Sequence, residues 1–169
     1  MKLWDRFDLN EWIILGMLLG MWAIFFILPK RLPRYITILS LVWGSVSGML
    51  FDIVIGTSVI DFYSLNDNNH YEIFDFLYFL TLAPSGYFFI HFYDLLKIKK
   101  KRFIWYVLIW SFIGYGTNCF LTKMHIIDFQ NGYKLSYSIA FFLTTQTITG
   151  LYYQYVKKRM SNFTLSSYK

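Results

Sequence analysis

The chain predicts an all-α integral membrane protein, a five-helix transmembrane bundle. Three observations carry this: the composition, the length of the apolar segments, and the side of those segments on which the basic residues fall. Of 169 residues, 56% are hydrophobic, 22% aromatic and only 15% charged, where soluble domains run at about 45–50% apolar and about 25% charged. A chain this apolar, with a mean hydropathy of +0.41, is excluded from the disordered class and argues against a water-soluble globule. The one cysteine, Cys119, excludes a disulfide framework and holds no zinc site by itself.

The five segments follow in chain order. Trp12–Pro29 carries no charge, and Tyr35–Ile60 carries only Asp52. The third begins at Phe76 and is free of charge to Tyr93 apart from the ionisable His91, with its helix expected to run to residue 96. Phe103–Thr122 and Leu135–Val156 contain no acidic or basic residue. A bilayer core of ~30 Å takes ~20 helical residues, so each is long enough to cross. All are too long for the ~10-residue alternating strands of a barrel, and in lipid the backbone must satisfy its own hydrogen bonds, which makes them helices. One membrane domain over 1–159 is expected, with spans at about 12–29, 35–60, 76–96, 103–122 and 135–156. A polar cytoplasmic tail, 160–169, should be frayed.

Orientation follows from the Lys and Arg count. Lys30, Arg31 and Arg34 follow the first span, Lys97, Lys99, Lys100, Lys101 and Arg102 the third, and Lys157, Lys158, Arg159 and Lys169 the fifth. The opposite loops hold Asp5, Asp8, Glu11, Asp61, Asp67, Glu72, Asp75 and Asp128. This alternation puts the N-terminus outside and the C-terminus in the cytoplasm. The acids ahead of the first span, with no small-residue cleavage site after it, argue against a signal peptide. The net charge of +6 therefore points to the bilayer: the Lys97–Arg102 run should attract anionic lipid headgroups, and no nucleic-acid role is expected.

Within the second span Gly44, Gly48, Asp52 and Gly56 recur every four residues on one helical stripe. Small residues at that spacing let a second helix approach backbone to backbone. An intramembrane carboxyl is a functional hypothesis by default, with Asp52 read either as an ion- or proton-handling acid or as a hydrogen-bonded packing acid. The third span puts Tyr87, His91 and Asp94 on one face, which makes His91 and Asp94 a candidate interfacial pair, although two ligands make no metal site. Pro84 removes a helical donor there, and Thr81 and Ser85 are the expected groups to re-satisfy the freed backbone. Asn118 on the fourth span and Gln146 on the fifth complete, with Asp52, a candidate intramembrane polar site. Asn and Gln in such segments most often hydrogen-bond between helices. Phosphate-loop, dinucleotide, nucleophile-elbow and paired-cysteine signatures are absent, so no catalytic residue, cofactor or metal is assigned.

The run Phe129-Gln130-Asn131-Gly132-Tyr133-Lys134-Leu135-Ser136-Tyr137-Ser138 resembles an aromatic–Asn-Gly-Trp-Lys–Tyr-Ser element of small multi-pass membrane proteins of spore-forming Bacillota. Gly48-Met49-Leu50-Phe51-Asp52 with Gly56 and Asp61-Phe62-Tyr63, and Phe92-Tyr93-Asp94 ahead of the basic loop, are similar to that group as well. Members of this family of unknown function often carry a Glu near the positions of Asn118 and Cys119. This chain has none there, so the resemblance implies a bacterial cell-membrane location and carries no proton relay. The expected function is that of a non-enzymatic accessory or interaction protein of the bacterial membrane, sporulation- or envelope-related, working as a homo-oligomer or with a membrane partner. The alternatives are a small oligomeric transporter or ion-conducting protein using Asp52, and a lipid-modifying enzyme using His91 and Asp94.

Overall fold

The computed structural model describes residues 9–55, 62–65 and 73–166. Gly56 of the small-residue stripe, and the acidic Asp61, Asp67 and Glu72, lie outside the described residues. Five long helices are described: α1 (Leu9–Ile27), α2 (Arg34–Ile55), α3 (Ile73–Leu95), α4 (Lys100–Lys123) and α5 (Ser138–Ser166). Two three-residue strands, β1 (Tyr63–Leu65) and β2 (Ile127–Phe129), pair antiparallel with Ser64 opposite Asp128. This short ribbon joins the α2–α3 and α4–α5 connections and, among the described residues, is the one departure from an all-helical fold. A 3₁₀ turn at Leu135–Tyr137 leads into α5. The last helix runs through Ser166, so residues 160–166 are helical where fraying was expected.

Local chemistry sets the helix ends. Pro33 opens α2, where a missing N–H costs nothing, and its carbonyl accepts from the Thr37 N–H at 3.0 Å. Helices α3 and α4 close in the same way. Lys97 and His125 adopt left-handed φ of 47° and 54°. Lys97 and Ile98 donate back to the Asp94 and Tyr93 carbonyls, and His125 and Ile126 donate to those of Thr122 and Leu121, the two-bond closure that satisfies the last orphan carbonyls. After β2, Asn131 and Gly132 both take positive φ, 51° and 79°. The Tyr133 N–H closes this turn on the Gln130 carbonyl at 3.1 Å; two successive positive φ angles suit Asn-Gly. Burial pushes the Tyr133 phenol above its ordinary pKa, against the hydrogen bond with Ser138 that favours ionisation.

Helix α3 is the axis of the bundle, packed most extensively against α2 and α1 and reaching α5, while α4 pairs with α5. The core divides along this axis. Ile14, Phe51, Tyr78, Phe79, Leu121 and Ile126 form a cluster at the ribbon end. An aromatic cluster with Phe25, Tyr87, Phe89, Tyr93, Tyr106 and Tyr153 fills the end where the basic loops lie. Helices α1, α2 and α4 are long and apolar enough to cross a membrane. Their outer faces are apolar: Leu19, Ile38, Ile104 and Trp105 are all more than 60% exposed, a surface suited to lipid and not to water. Helix α3 is packed between its neighbours, and much of its surface is buried. A helix shielded from lipid can carry Thr81, His91 and Asp94, and it holds buried Thr81, Pro84, Tyr87 and His91.

Close backbone approach fixes α2 on α3. A Cβ on Gly44 would collide with the Ala83 carbonyl, and one on Gly86 with the Ser40 carbonyl and with Gly44 itself. Gly48 lies against the Leu82 side chain in the same interface. Gly86, on the facing helix, is the half of this contact that periodicity in the second span does not reveal. Two residues before Gly86, Pro84 leaves the Leu80 carbonyl without its intrahelical donor, and the Trp22 indole N–H of α1 supplies one at 3.2 Å. The Thr81 and Ser85 hydroxyls, expected to fill this role, instead reach the Leu77 and Leu82 carbonyls at 2.9 and 2.5 Å. A helical hydroxyl bonds back three or four residues from its own position, and Leu80 is out of that register for both.

Two outcomes follow. Gly86→Ala should destabilise the folded bundle by about 1–3 kcal/mol through overpacking, seen as a lower thermal midpoint in detergent. Gly16→Ala, in open space, should leave it unchanged. Trp22→Phe keeps the ring but strands the Leu80 carbonyl, and should cost about 1–3 kcal/mol in the same assay.

Candidate functional site

The polar residues singled out from sequence fall into two groups at opposite ends of α3. At the ribbon end Asp52 is 2% exposed, on the α2 turn next to core residue Phe51, and its charge acts on the buried Tyr78 phenol of α3. Asn118 is also buried, one turn before core residue Leu121 on α4, and its Nδ2 has no hydrogen-bond partner. Gln146 is half-buried on α5. A second acid belongs here. Glu11, expected among the exposed outer acids, is 2% exposed in the first turn of α1. The chain after α4 folds over this turn, where Asn10 Nδ2 donates to the His125 carbonyl at 3.5 Å. The available signal was its position directly ahead of the apolar run, where a carboxylate suits a helix N-terminus.

At the basic end the His91 and Asp94 side chains have separate partners. Tyr87 Oη meets His91 Nδ1 at 3.2 Å, one turn back on α3, and His91 Nε2 is buried without a partner. The charges that act on His91 are Arg31, Asp94 and Lys30. Lys30 itself folds back over the end of α1: Nζ donates to the Phe25 carbonyl at 2.8 Å and sits 3.5 Å above the Phe25 ring. Asp94 turns to α5, where Lys157 donates to Oδ1 and the Tyr153 hydroxyl donates to the same oxygen at 3.2 Å. The Gln154 amide donates to the Tyr93 hydroxyl at 2.7 Å. The Tyr106 hydroxyl donates to the Phe89 carbonyl at 2.5 Å. This is a network that ties α5 and α4 to the end of α3. His91 and Asp94 share a face of α3 and act on each other through their charges, but their hydrogen bonds go elsewhere: His91 to Tyr87 on its own helix and Asp94 to Tyr153 and Lys157 of α5.

A third feature was not legible from sequence. Between α2 and α5 lies a cleft of about 310 Å³ walled by Leu39, Trp43, Ile148 and Tyr152. Ile90 of α3 closes its back, with Ser40 and Thr149 at its floor. The floor hydroxyls are already engaged: Ser40 donates to the Thr37 carbonyl at 2.8 Å and Thr149 to the Thr145 carbonyl at 2.7 Å. Thr149 also accepts from the Trp43 indole at 2.6 Å. Among the described residues no three His, Cys, Asp or Glu side chains gather to hold a metal ion. The basic residues Lys97, Lys99, Lys100, Lys101 and Arg102 are exposed on the α3–α4 connection.

Comparison with protein-family models, with curated protein sequences and with solved structures gives no match. The resemblance to the Bacillota membrane proteins rests on the residues quoted for it alone.

The Asp94–Lys157 pair is partly exposed, with side-chain accessibilities of 31% and 59%, which limits its strength. A double-mutant cycle of Asp94→Asn and Lys157→Gln should give a coupling of about 1 kcal/mol or less in thermal unfolding, diminishing in 1 M salt. No coupling at low salt would contradict the pair.

Proposed function

We propose that this chain is a non-catalytic integral membrane protein that crosses the bilayer five times and acts by association, as an accessory or interaction component of a bacterial cell membrane. The observation that carries the reading is how its reactive side chains are used. Asp94, Lys157, Tyr153, Gln154 and Tyr93 hold α3 to α5, Tyr87 holds His91, and Trp43 holds Thr149 across α2 and α5. What remains outward is an apolar face broken by aromatic rings. Five crossings are supported by length: α3 has 23 residues and α5 has 29, or about 35 and 43 Å at ~1.5 Å per residue. Thr81 and His91 of α3 and Thr149 of α5 are buried within the bundle. The positive-inside rule then puts the ribbon outside and the basic loops in the cytoplasm.

A second reading, a small transporter or ion-conducting protein, is favoured by one observation: the carboxyls of Asp52 and Glu11 are buried at the same end as the unpartnered Asn118 amide. One comparison separates the two. Under the first reading the Asp52→Asn protein inserts in the membrane and co-purifies with the same in-membrane crosslinked partner or second copy as the wild type. In proteoliposomes neither protein passes protons or cations above the lipid background. A flux that Asp52→Asn abolishes would overturn association as the function and establish the transporter.

A further inference from the structure

We propose that the cleft between α2 and α5 holds one acyl chain of an anionic phospholipid, with the phosphate seated at Arg159, at the basic end of the α5 wall. The inference rests on the membrane location in the reading above and adds a ligand site to it. The volume of about 310 Å³ lies at the low end of small-molecule sites, ~300–1,000 Å³, and suits a single hydrocarbon chain better than a whole lipid. With both floor hydroxyls and the Trp43 indole already hydrogen-bonded, the lining offers a chain no polar group to desolvate. The walls also open outward: Leu39, Ile148 and Tyr152 are each about half exposed, on the faces that α2 and α5 turn to the surroundings.

The commitment to an anionic lipid comes from where the walls lead. On α2 the stripe Trp43, Leu39, Tyr35 steps back by four residues to the second position of the helix. On α5 the stripe Ile148, Tyr152, Tyr155, Arg159 steps forward by four, three and four. The Arg159 guanidinium lies 5.1 Å over the Tyr155 ring, which holds it along the wall. The two stripes converge at this end, where the Tyr35 and Tyr153 phenols are close enough to act on each other. From Tyr152 to Arg159 the rise is about 10 Å at ~1.5 Å per residue, the offset between the upper part of a chain and its headgroup. Arg159 is exposed, and guanidinium with phenol is the donor set that recognises a phosphodiester.

The test uses full-length protein in vesicles of phosphatidylcholine and phosphatidylglycerol, with one lipid at a time carrying brominated acyl chains that quench tryptophan. The Trp43 and Trp12 contributions are taken as wild type minus Trp43→Phe and wild type minus Trp12→Phe. Trp12, 65% exposed on α1 at the end away from the basic loops, should be quenched equally by both lipids. Trp43 should show about a fivefold preference for the brominated phosphatidylglycerol, lost in Arg159→Gln while Trp12 is unaffected. Because Trp43→Phe breaks the bond to Thr149, native mass spectrometry of the unmodified chain gives a second reading: phosphatidylglycerol retained over phosphatidylcholine, and released by the cleft-filling Ile148→Trp. Equal quenching of Trp43 by the two lipids, or none, with Trp12 quenched normally, overturns the site and leaves the membrane reading standing. Trp12 unquenched by either lipid overturns both.

Discussion

The contact on which the bundle depends is the backbone approach of α2 to α3 at Gly44 and Gly86. In a bilayer no hydrophobic driving force brings helices together, because lipid tails are as apolar as the side chains they would replace. Association then relies on dense packing and on hydrogen bonds between helices, and both are greatest where Cβ atoms are missing. Each of these glycines would strike backbone atoms of the other helix if it carried a Cβ. The approach places Ser40, on the α2 turn before Gly44, against α3 and out of contact with the surroundings.

With α3 held at the centre, its irregularities become usable. Pro84 frees a carbonyl that lipid could not satisfy, and the α1 indole does so; the proline and the tryptophan are therefore one feature divided between two helices. Around the basic end, Tyr93 packs edge-on against Phe103, Tyr106 and Tyr153. Such pairs contribute about 0.5–1.5 kcal/mol each beyond area burial. The phenol hydroxyls in this cluster reach a carbonyl, a carboxylate and an amide, so a large aromatic core also supplies the polar links between helices. That double use accounts for the tyrosine content better than an interfacial belt alone.

The same economy bears on function. Side chains that invite a chemical role when read singly are engaged inside the bundle: Asp94 and Gln154 between helices, and His91 with Tyr87 on its own helix. The cleft beside Trp43 is apolar to its floor. A protein so arranged presents to its surroundings apolar outer faces, a basic rim and an opposite end that carries a strand pair.

Composition and segment length by themselves determined that the chain is helical and made for a membrane, since no other backbone arrangement satisfies its hydrogen bonds in segments so long and apolar. The α5 extension past Arg159 escaped because a polar helix beyond an apolar segment has no apolar period to read. The small-residue stripe of Gly44 and Gly48 was legible because spacing along one helix is a property of that helix. Its partner Gly86, the donor from Trp22 to Leu80, the turn of Asp94 toward Lys157 and the burial of Glu11 were not. Each is a relation between elements far apart in the chain, and only tertiary packing decides which faces meet. The cleft belongs to the same class: it is lined by single residues from three helices, none of them unusual in its own segment.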